Sequence, residues 1–143
     1  MGTPDHAGAE EMKVVLCGGV FDLLHVGHLR HLEEARRMGD KLVVGLTMDE
    51  FAQKEKRKPV IPENERMEML LGLRCVSNVM LVHDGVEALK LFRPQVFCKG
   101  NDYRIKGLLD AEVKYCIENN IEILFTKANP KTTSGIIERI KCS

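Results

Sequence analysis

The most constraining feature of this sequence is a regular alternation of short, continuously apolar runs with longer segments of helical periodicity. A run that is apolar at every position predicts a strand buried on both faces, because a half-exposed strand would alternate with polar residues. Buried strands that alternate with helices pair in parallel, and the helices cover both faces of the sheet. We therefore predict an α/β fold, a single doubly wound domain with a five-stranded parallel sheet. The predicted strands are 13–17, 41–46, 78–82, 95–98 and 121–125.

Between these strands, apolar residues recur at helical spacing, and glycine or proline marks several of the ends. The polar stretch 53–59 is predicted to be a loop, and residues 1–12 a flexible leader before a domain over 13–143. The predicted helices are 27–38, 62–73, 85–92, 108–118 and 133–140.

Composition excludes several classes of protein. Twenty-one Lys and Arg balance twenty-one Asp and Glu, which argues against nucleic acid or an anionic membrane as partner. No apolar run approaches the ~18 residues that a spanning helix needs, and the N-terminal residues lack the apolar core of a signal peptide. The five cysteines are scattered without a C-x-x-C pair, so we expect no disulfide framework and a reduced, cytoplasmic protein.

The loop after the first predicted strand, residues 18–28, carries the strongest functional signal. It begins with two glycines and ends with His25, Gly27 and His28 at the start of a helix. Glycine lets the backbone approach a ligand closely, and a helix N-terminus with imidazole donors suits a phosphate. The competing interpretation is a metal site built from His25, His28 and His31, but no further ligand has convincing spacing.

These residues also carry a resemblance. The order Gly19, Val20, Phe21, Asp22, then His25, Gly27 and His28 resembles the signature loop of the cytidylyltransferase-like nucleotidyltransferase family, with Val20 where that family usually has threonine. The resemblance implies a Rossmann-like fold and a homodimer. It also implies an NTP, a phosphorylated small-molecule acceptor, and Mg²⁺ that enters with the NTP. We find no protein metal site, and expect no nucleic acid or membrane partner.

The resemblance assigns roles to residues along most of the chain. Catalytic roles fall to His25 and His28, to Lys54 or Lys56 in the basic loop, and to Arg74 before the third strand. Nucleotide binding falls to the following residues: Gly19, Val20, Phe21, Asp22, Gly27, Lys99, Gly100, Asp102, Tyr103, Lys127, Thr132, Thr133 and Ser134.

The stretch K-G-N-D-Y, residues 99–103, resembles the heptose 1-phosphate adenylyltransferase branch of this family. That branch implies ATP and D-glycero-β-D-manno-heptose 1-phosphate as substrates. The alternative is CTP with glycerol 3-phosphate or a similar polyol or amino-alcohol phosphate, and the sequence of residues 47–51 favours this alternative. An FAD-synthetase-like role is a third possibility. A non-catalytic nucleotide-binding regulatory module is the alternative from another class, permitted by Val20 and by residues 127–130, which depart from the family pattern.

Overall fold

The protein is described by a computed structural model that covers residues 12–55, 57–101 and 110–128. Five parallel strands form one sheet in the order β3-β2-β1-β4-β5, which confirms the predicted fold class. Each strand lies within one or two residues of its predicted position. They are β1 (Val14–Gly19), β2 (Lys41–Thr47), β3 (Asn78–Val82), β4 (Val96–Lys99) and β5 (Glu122–Phe125).

Helices connect the strands, and one of them was not predicted. The helices are α1 (Val26–Arg36), α2 (Asp49–Glu55), α3 (Glu63–Leu71), α4 (Gly85–Phe92) and α5 (Asp110–Glu118). Helix α2 replaces the start of the predicted loop 53–59; its apolar residues Phe51 and Ala52 are adjacent, so they show no helical spacing. The predicted helix 133–140 and residues 1–11 lie outside the described residues. None of the helices in the described ranges has the length and apolarity needed to cross a membrane.

The sheet is covered on both faces, as a doubly wound fold requires. Val15 and Cys17 of β1 pack into one apolar layer with residues of α1 and α3, whereas Leu16 packs into the other with residues of α4 and α5. Helix α4 lies very close to the sheet, because a Cβ atom on Gly45 would come within 2.5 Å of the Cβ of Ala88. Gly45 therefore sets the distance between this helix and β2.

The strand order indicates where a ligand is expected to bind in a doubly wound fold. The chain moves outward from β1 through β2 to β3, and then α4 returns it to β4 on the other side of β1. The two connections that leave β1 and β4 diverge at this point, which opens a crevice at the carboxyl ends of the two strands. The loop 18–28 follows β1 and so lies at this edge.

One buried arginine joins the segments around the crevice. Arg66 of α3 is only 2% exposed. Its guanidinium donates to the carbonyl oxygens of Val20 (2.7 Å), Thr47 (2.9 Å) and Ile61 (2.9 Å), and to Oδ1 of Asp49. These partners belong to the loop after β1, the end of β2, the segment before α3 and the start of α2, so a single side chain fixes four backbone segments.

We predict that Arg66→Met lowers the free energy of unfolding by about 3–5 kcal/mol, because it leaves buried carbonyl groups and Asp49 without their donor. Urea unfolding measures this change. Arg30→Met is the control, since Arg30 is exposed on α1 and should change stability by less than about 0.5 kcal/mol. A loss below about 1 kcal/mol for Arg66→Met would show that these hydrogen bonds do not hold the edge together.

Candidate active site

The loop after β1 has a strained backbone. Phe21 and Leu23 have positive φ angles of 50° and 51°, a region that costs non-glycine residues about 1–3 kcal/mol each. The Phe21 ring is buried and packs against His28, with ring centroids 5.6 Å apart. Gly19 allows this position, because a Cβ there would lie 3.2 Å from the Phe21 ring. Strain held by packing is typical of a functional loop.

Asp22 fixes the same loop from the opposite side. Its carboxylate is 4% exposed and accepts hydrogen bonds from the backbone N–H groups of Val60 (2.8 Å) and Ile61 (2.9 Å) and from Nη1 of Arg57 (2.7 Å). Burial alone would raise the pKa of Asp22, but these hydrogen bonds outweigh it and lower the pKa, so the group is ionised. The resemblance assigns Asp22 to nucleotide binding; in the structure, its oxygen atoms hold the basic loop against the loop after β1.

His25 and His28 cap helix α1 with their own side chains. Nδ1 of His25, the N-cap residue, accepts the backbone N–H of Gly27 at 3.0 Å. Nδ1 of His28 accepts the backbone N–H of His25 at 3.2 Å. Because Nδ1 is an acceptor in both rings, the proton of each neutral imidazole sits on Nε2. The rings lie 4.0 Å apart between centroids, so the two imidazoles are neighbours at the start of the helix.

Both histidines are neutral at pH 7. Burial, followed by the proximity of His25 and His31, lowers the pKa of His28 to about 4, although Asp22 opposes the shift. Burial also lowers the pKa of His25. No acidic residue lies in the first turn of α1, so the positive end of the helix dipole is not neutralised there. The site therefore offers an anion uncharged donors at a positive helix end.

Helix α1 also holds the end of β5. The carboxylate of Glu34 accepts the backbone N–H groups of Lys127 (2.7 Å) and Ala128 (3.2 Å). Nδ1 of His31 lies 2.7 Å from the hydroxyl of Thr126. These contacts place Lys127, a predicted nucleotide-binding residue, beside the helix that carries His25 and His28. Lys127 is exposed to solvent.

Lys99 and Gly100 lie at the end of β4, and both are buried. The ammonium group of Lys99 is 3.9 Å from Oε1 of Glu112 on α5 and 5.1 Å from the centre of the Phe97 ring. The backbone carbonyl of Lys99 accepts the N–H of Thr126 at 3.0 Å. The structure thus brings this part of the predicted nucleotide site to the same edge of the sheet, but the Lys99 side chain points into an ion pair.

Arg74 is not brought to this site. It is exposed in the turn before β3, and the neighbouring Ser77 donates to the carbonyl of Leu42 at the start of β2 (2.8 Å). In a parallel sheet the residues before a strand lie at the amino edge, about a strand length from the carboxyl edge. The catalytic role that the resemblance gives Arg74 is therefore not supported by the geometry within this chain.

Of the remaining predicted residues, some lie in the described ranges and others do not. Lys54 lies in α2 and Val20 directly follows β1, at the carboxyl edge. Gly27 lies in the first turn of α1 and contributes its backbone N–H to the cap. Lys56, Asp102, Tyr103, Thr132, Thr133 and Ser134 lie outside the described residues.

Burial disfavours the thiolate form of Cys17 and Cys116. The hydrogen bond between Cys17 and Cys98, together with burial, raises the pKa of the Cys17 thiol. Burial raises the pKa of Cys116 to about 11. Within the described ranges, no three His, Cys, Asp or Glu side chains are grouped to hold a metal, and His31 of the alternative metal site contacts Thr126 instead.

Sequence reasoning missed Arg57, Arg66, Glu34 and Glu112. From the sequence, Arg66 is assigned no role. A signal was present, because Arg66 lies four residues before the buried Leu70 and so on the same face of the helix. The partners of Glu34 and Glu112 lie at the ends of β5 and β4. No local sequence pattern predicts which residues the folded chain places there.

The comparisons with known proteins agree with the fold and the loop. The sequence model of the cytidylyltransferase-like family matches residues 16–135 of this chain. The bifunctional protein HldE of Citrifermentans bemidjiense is 38% identical over 96% of this chain, and HldE of Geobacter sulfurreducens is 35% identical over 92%. The chain spans 30% and 28% of the length of these two relatives.

A solved structure agrees as well. The lipopolysaccharide core biosynthesis protein of Thermoplasma volcanium superimposes with a TM-score of 0.72 and 29% sequence identity, over 82% of this chain and 98% of that protein. The family match covers well over half of the sequence and includes the loop with His25 and His28. The chain belongs to the cytidylyltransferase-like family of nucleotidyltransferases.

Proposed function

We propose that this chain is an adenylyltransferase that joins ATP to a sugar 1-phosphate, with D-glycero-β-D-manno-heptose 1-phosphate as the leading acceptor, and releases pyrophosphate. The observation that carries the transferase chemistry is the pair of capping histidines with their Nε2–H donors at the positive end of α1. The substrate choice is supported by the K-G-N-D-Y stretch and by the HldE relatives. A relative described as a lipopolysaccharide core biosynthesis protein is consistent with a sugar acceptor.

The reaction requires positioning and charge stabilisation more than acid–base catalysis. A phosphate oxygen of the acceptor attacks the α-phosphorus of the NTP in line, the new P–O bond forms, and the bond to the β-phosphate oxygen breaks. The acceptor phosphate is already ionised near neutral pH, so no strong general base is needed. Negative charge moves onto the departing pyrophosphate, where hydrogen-bond donors fixed in advance stabilise it. Mg²⁺ enters on the NTP as part of the substrate.

In this proposal His25 and His28 donate from Nε2 to phosphate oxygens. The backbone N–H groups that bind Nδ1 of each ring hold both donors in place before the ligand arrives. Because Nδ1 of each ring already accepts a backbone N–H, each ring donates to the phosphate as a neutral imidazole through Nε2. Arg57 adds positive charge near the site, where Asp22 fixes its guanidinium, and Lys54 or Lys56 is the residue that the resemblance assigns to the triphosphate.

The stretch that leans towards a cytidylyltransferase has a structural explanation. Thr47 ends β2, and Asp49 begins α2, where its carboxylate accepts from Arg66. The backbone N–H of Asp49 donates to Glu63 at 2.8 Å, and that of Glu63 donates back to Asp49 at 3.3 Å. These contacts account for Asp49 without any nucleotide, so CTP is retained as a test condition and not as a second proposal.

Other expectations from the resemblance remain predictions. The homodimer is measured by light scattering of the purified protein. The requirement for Mg²⁺ is measured by chelation during turnover. A cytoplasmic location is measured by fractionation of the source cells.

The direct test is pyrophosphate release from each of ATP, CTP, GTP and UTP with Mg²⁺ and a panel of sugar, polyol and amino-alcohol phosphates. We expect release with ATP and a heptose 1-phosphate. Release only with CTP and a polyol or amino-alcohol phosphate would keep the mechanism and overturn the substrate choice. Tight nucleotide binding without release in any combination would indicate the regulatory module instead.

We predict that His28→Ala lowers kcat by about 10²–10³, the cost of removing one fixed donor to the transition state. The fold should persist, and circular dichroism at the assay temperature checks this. Arg30→Met on the exposed side of the same helix should keep wild-type turnover. A His28→Ala enzyme with wild-type kcat would contradict the mechanism.

The depressed pKa of His28 also predicts how stability depends on pH. In the unfolded chain His28 takes up a proton near its ordinary pKa of 6.5, but in the folded protein only near about 4. The unfolded state therefore binds more protons between these values, and stability falls as the pH falls from 6.5 to 4. This group should account for about 3 kcal/mol, since each proton changes stability by about 1.4 kcal/mol per pH unit. Urea unfolding at pH 7 and pH 4.5 measures the loss, and His28→Asn should show a smaller one.

A further inference from the structure

A buried ion pair lies behind the end of β4. Lys99 is 8% exposed and Glu112 is 4% exposed, and their charged groups are 3.9 Å apart. This is ion-pair distance, slightly longer than a hydrogen bond. Desolvating two charges is costly, so such a pair is retained where it fixes a conformation or serves a site.

The carboxylate of Glu112 also lies against the start of α4. A Cβ on Gly85, the first residue of that helix, would be only 2.1 Å from Oε2 of Glu112. Glycine at this position therefore makes room for the carboxylate. The side chains of Lys99 and Glu112 together connect three elements: the end of β4, helix α5 and the first turn of α4.

The backbone of Lys99 is held as firmly as its side chain. Its carbonyl accepts the N–H of Thr126 at 3.0 Å, and the hydroxyl of Thr126 contacts His31 on α1. Lys99 is thus anchored towards α5 by its side chain and towards α1 by its backbone. The buried Gly100 follows immediately, so the positions of Lys99 and Gly100 at the end of β4 depend on these two anchors.

We propose that Lys99 and Glu112 are a positioning pair, which holds the turn beginning at Lys99 and Gly100 in the conformation that binds the nucleotide, and that Lys99 does not act as a nucleotide ligand. This inference rests on the proposed function, because it takes the carboxyl edge as the NTP site. It differs from the role that the K-G-N-D-Y resemblance assigns to Lys99.

The two roles predict opposite behaviour for a double substitution. If Lys99 contacts phosphate or base directly, then every variant that removes its ammonium group weakens nucleotide binding. If the pair acts by position, each single substitution breaks the buried ion pair and leaves the other charge in place, whereas removing both charges together removes the broken pair and restores the position of Lys99 and Gly100. Methionine suits both sites because it is unbranched and fills irregular space.

The experiment compares Lys99→Met, Glu112→Met and the Lys99→Met/Glu112→Met double variant. KM and kcat are measured for MgATP with the acceptor found for the wild type, and MgATP binding by calorimetry. We expect each single variant to raise the KM for MgATP by about 10-fold with a smaller change in kcat, as displacement of a positioned group by about 1 Å costs up to 10²-fold. The double variant should return to within about 3-fold of wild type. Lys114→Met, exposed on the same helix as Glu112, is the control and should match wild type.

A second measurement follows the turn itself. Hydrogen exchange of the peptide containing Gly100 and Asn101 should be faster in each single variant and return to the wild-type rate in the double variant. A folded double variant with a KM at least 10-fold above wild type would overturn the positioning role, as would single variants with wild-type KM and wild-type exchange. A wild-type protein that neither releases pyrophosphate nor binds MgATP would overturn the proposed function and this inference with it. The two failures differ, because the first occurs with an active wild type.

Discussion

The carboxyl edge of the sheet depends on the guanidinium group of Arg66. Three parts of the chain, around Val20, around Thr47 and Asp49, and at Ile61, direct backbone carbonyl groups or a carboxylate at one buried side chain. Carbonyl groups removed from water need donors, and the planar fork of arginine supplies several donors in fixed directions without losing its charge. Lysine, with one flexible ammonium group, cannot satisfy the same set of acceptors. The loop after β1 therefore takes its position from a residue more than 40 positions later in the chain.

That position carries strain, and the strain is compensated locally. Phe21 and Leu23 have left-handed backbone angles, and the surrounding contacts of the Phe21 ring and of the Asp22 carboxylate hold them there. A loop fixed in this way does not need to be ordered by the ligand. The conformational entropy of the loop is thus lost during folding and not on ligand binding, and under the proposed function a phosphate meets donors that are already aligned.

The fold was predictable from the sequence because parallel strands buried on both faces are continuous apolar runs. Five such runs occur in the sequence, and each of them forms a strand of the sheet. Helix α2 was not, since seven residues with one adjacent apolar pair, Phe51 and Ala52, carry no periodicity. The loop with His25 and His28 was predictable from its position after a strand. The position of Arg74 was predictable only in part: its motif suggests a role, and the direction of β3 puts its turn at the amino edge of the same chain. The role of Arg74 stays a prediction that the geometry of this single chain does not support.

The capping histidines explain why this loop uses imidazole rather than an ordinary cap residue. Serine, threonine, asparagine or aspartate at position 25 would accept the backbone N–H groups of the first turn equally well. None of these side chains has a second polar atom, across a rigid ring from the first, that must carry a proton because the first atom accepts the cap hydrogen bond. In His25 and His28, one ring nitrogen completes the helix and thereby determines that the other carries the proton. Under the proposed function, helix formation and the presentation of phosphate donors are consequently the same event, because both depend on the cap of α1.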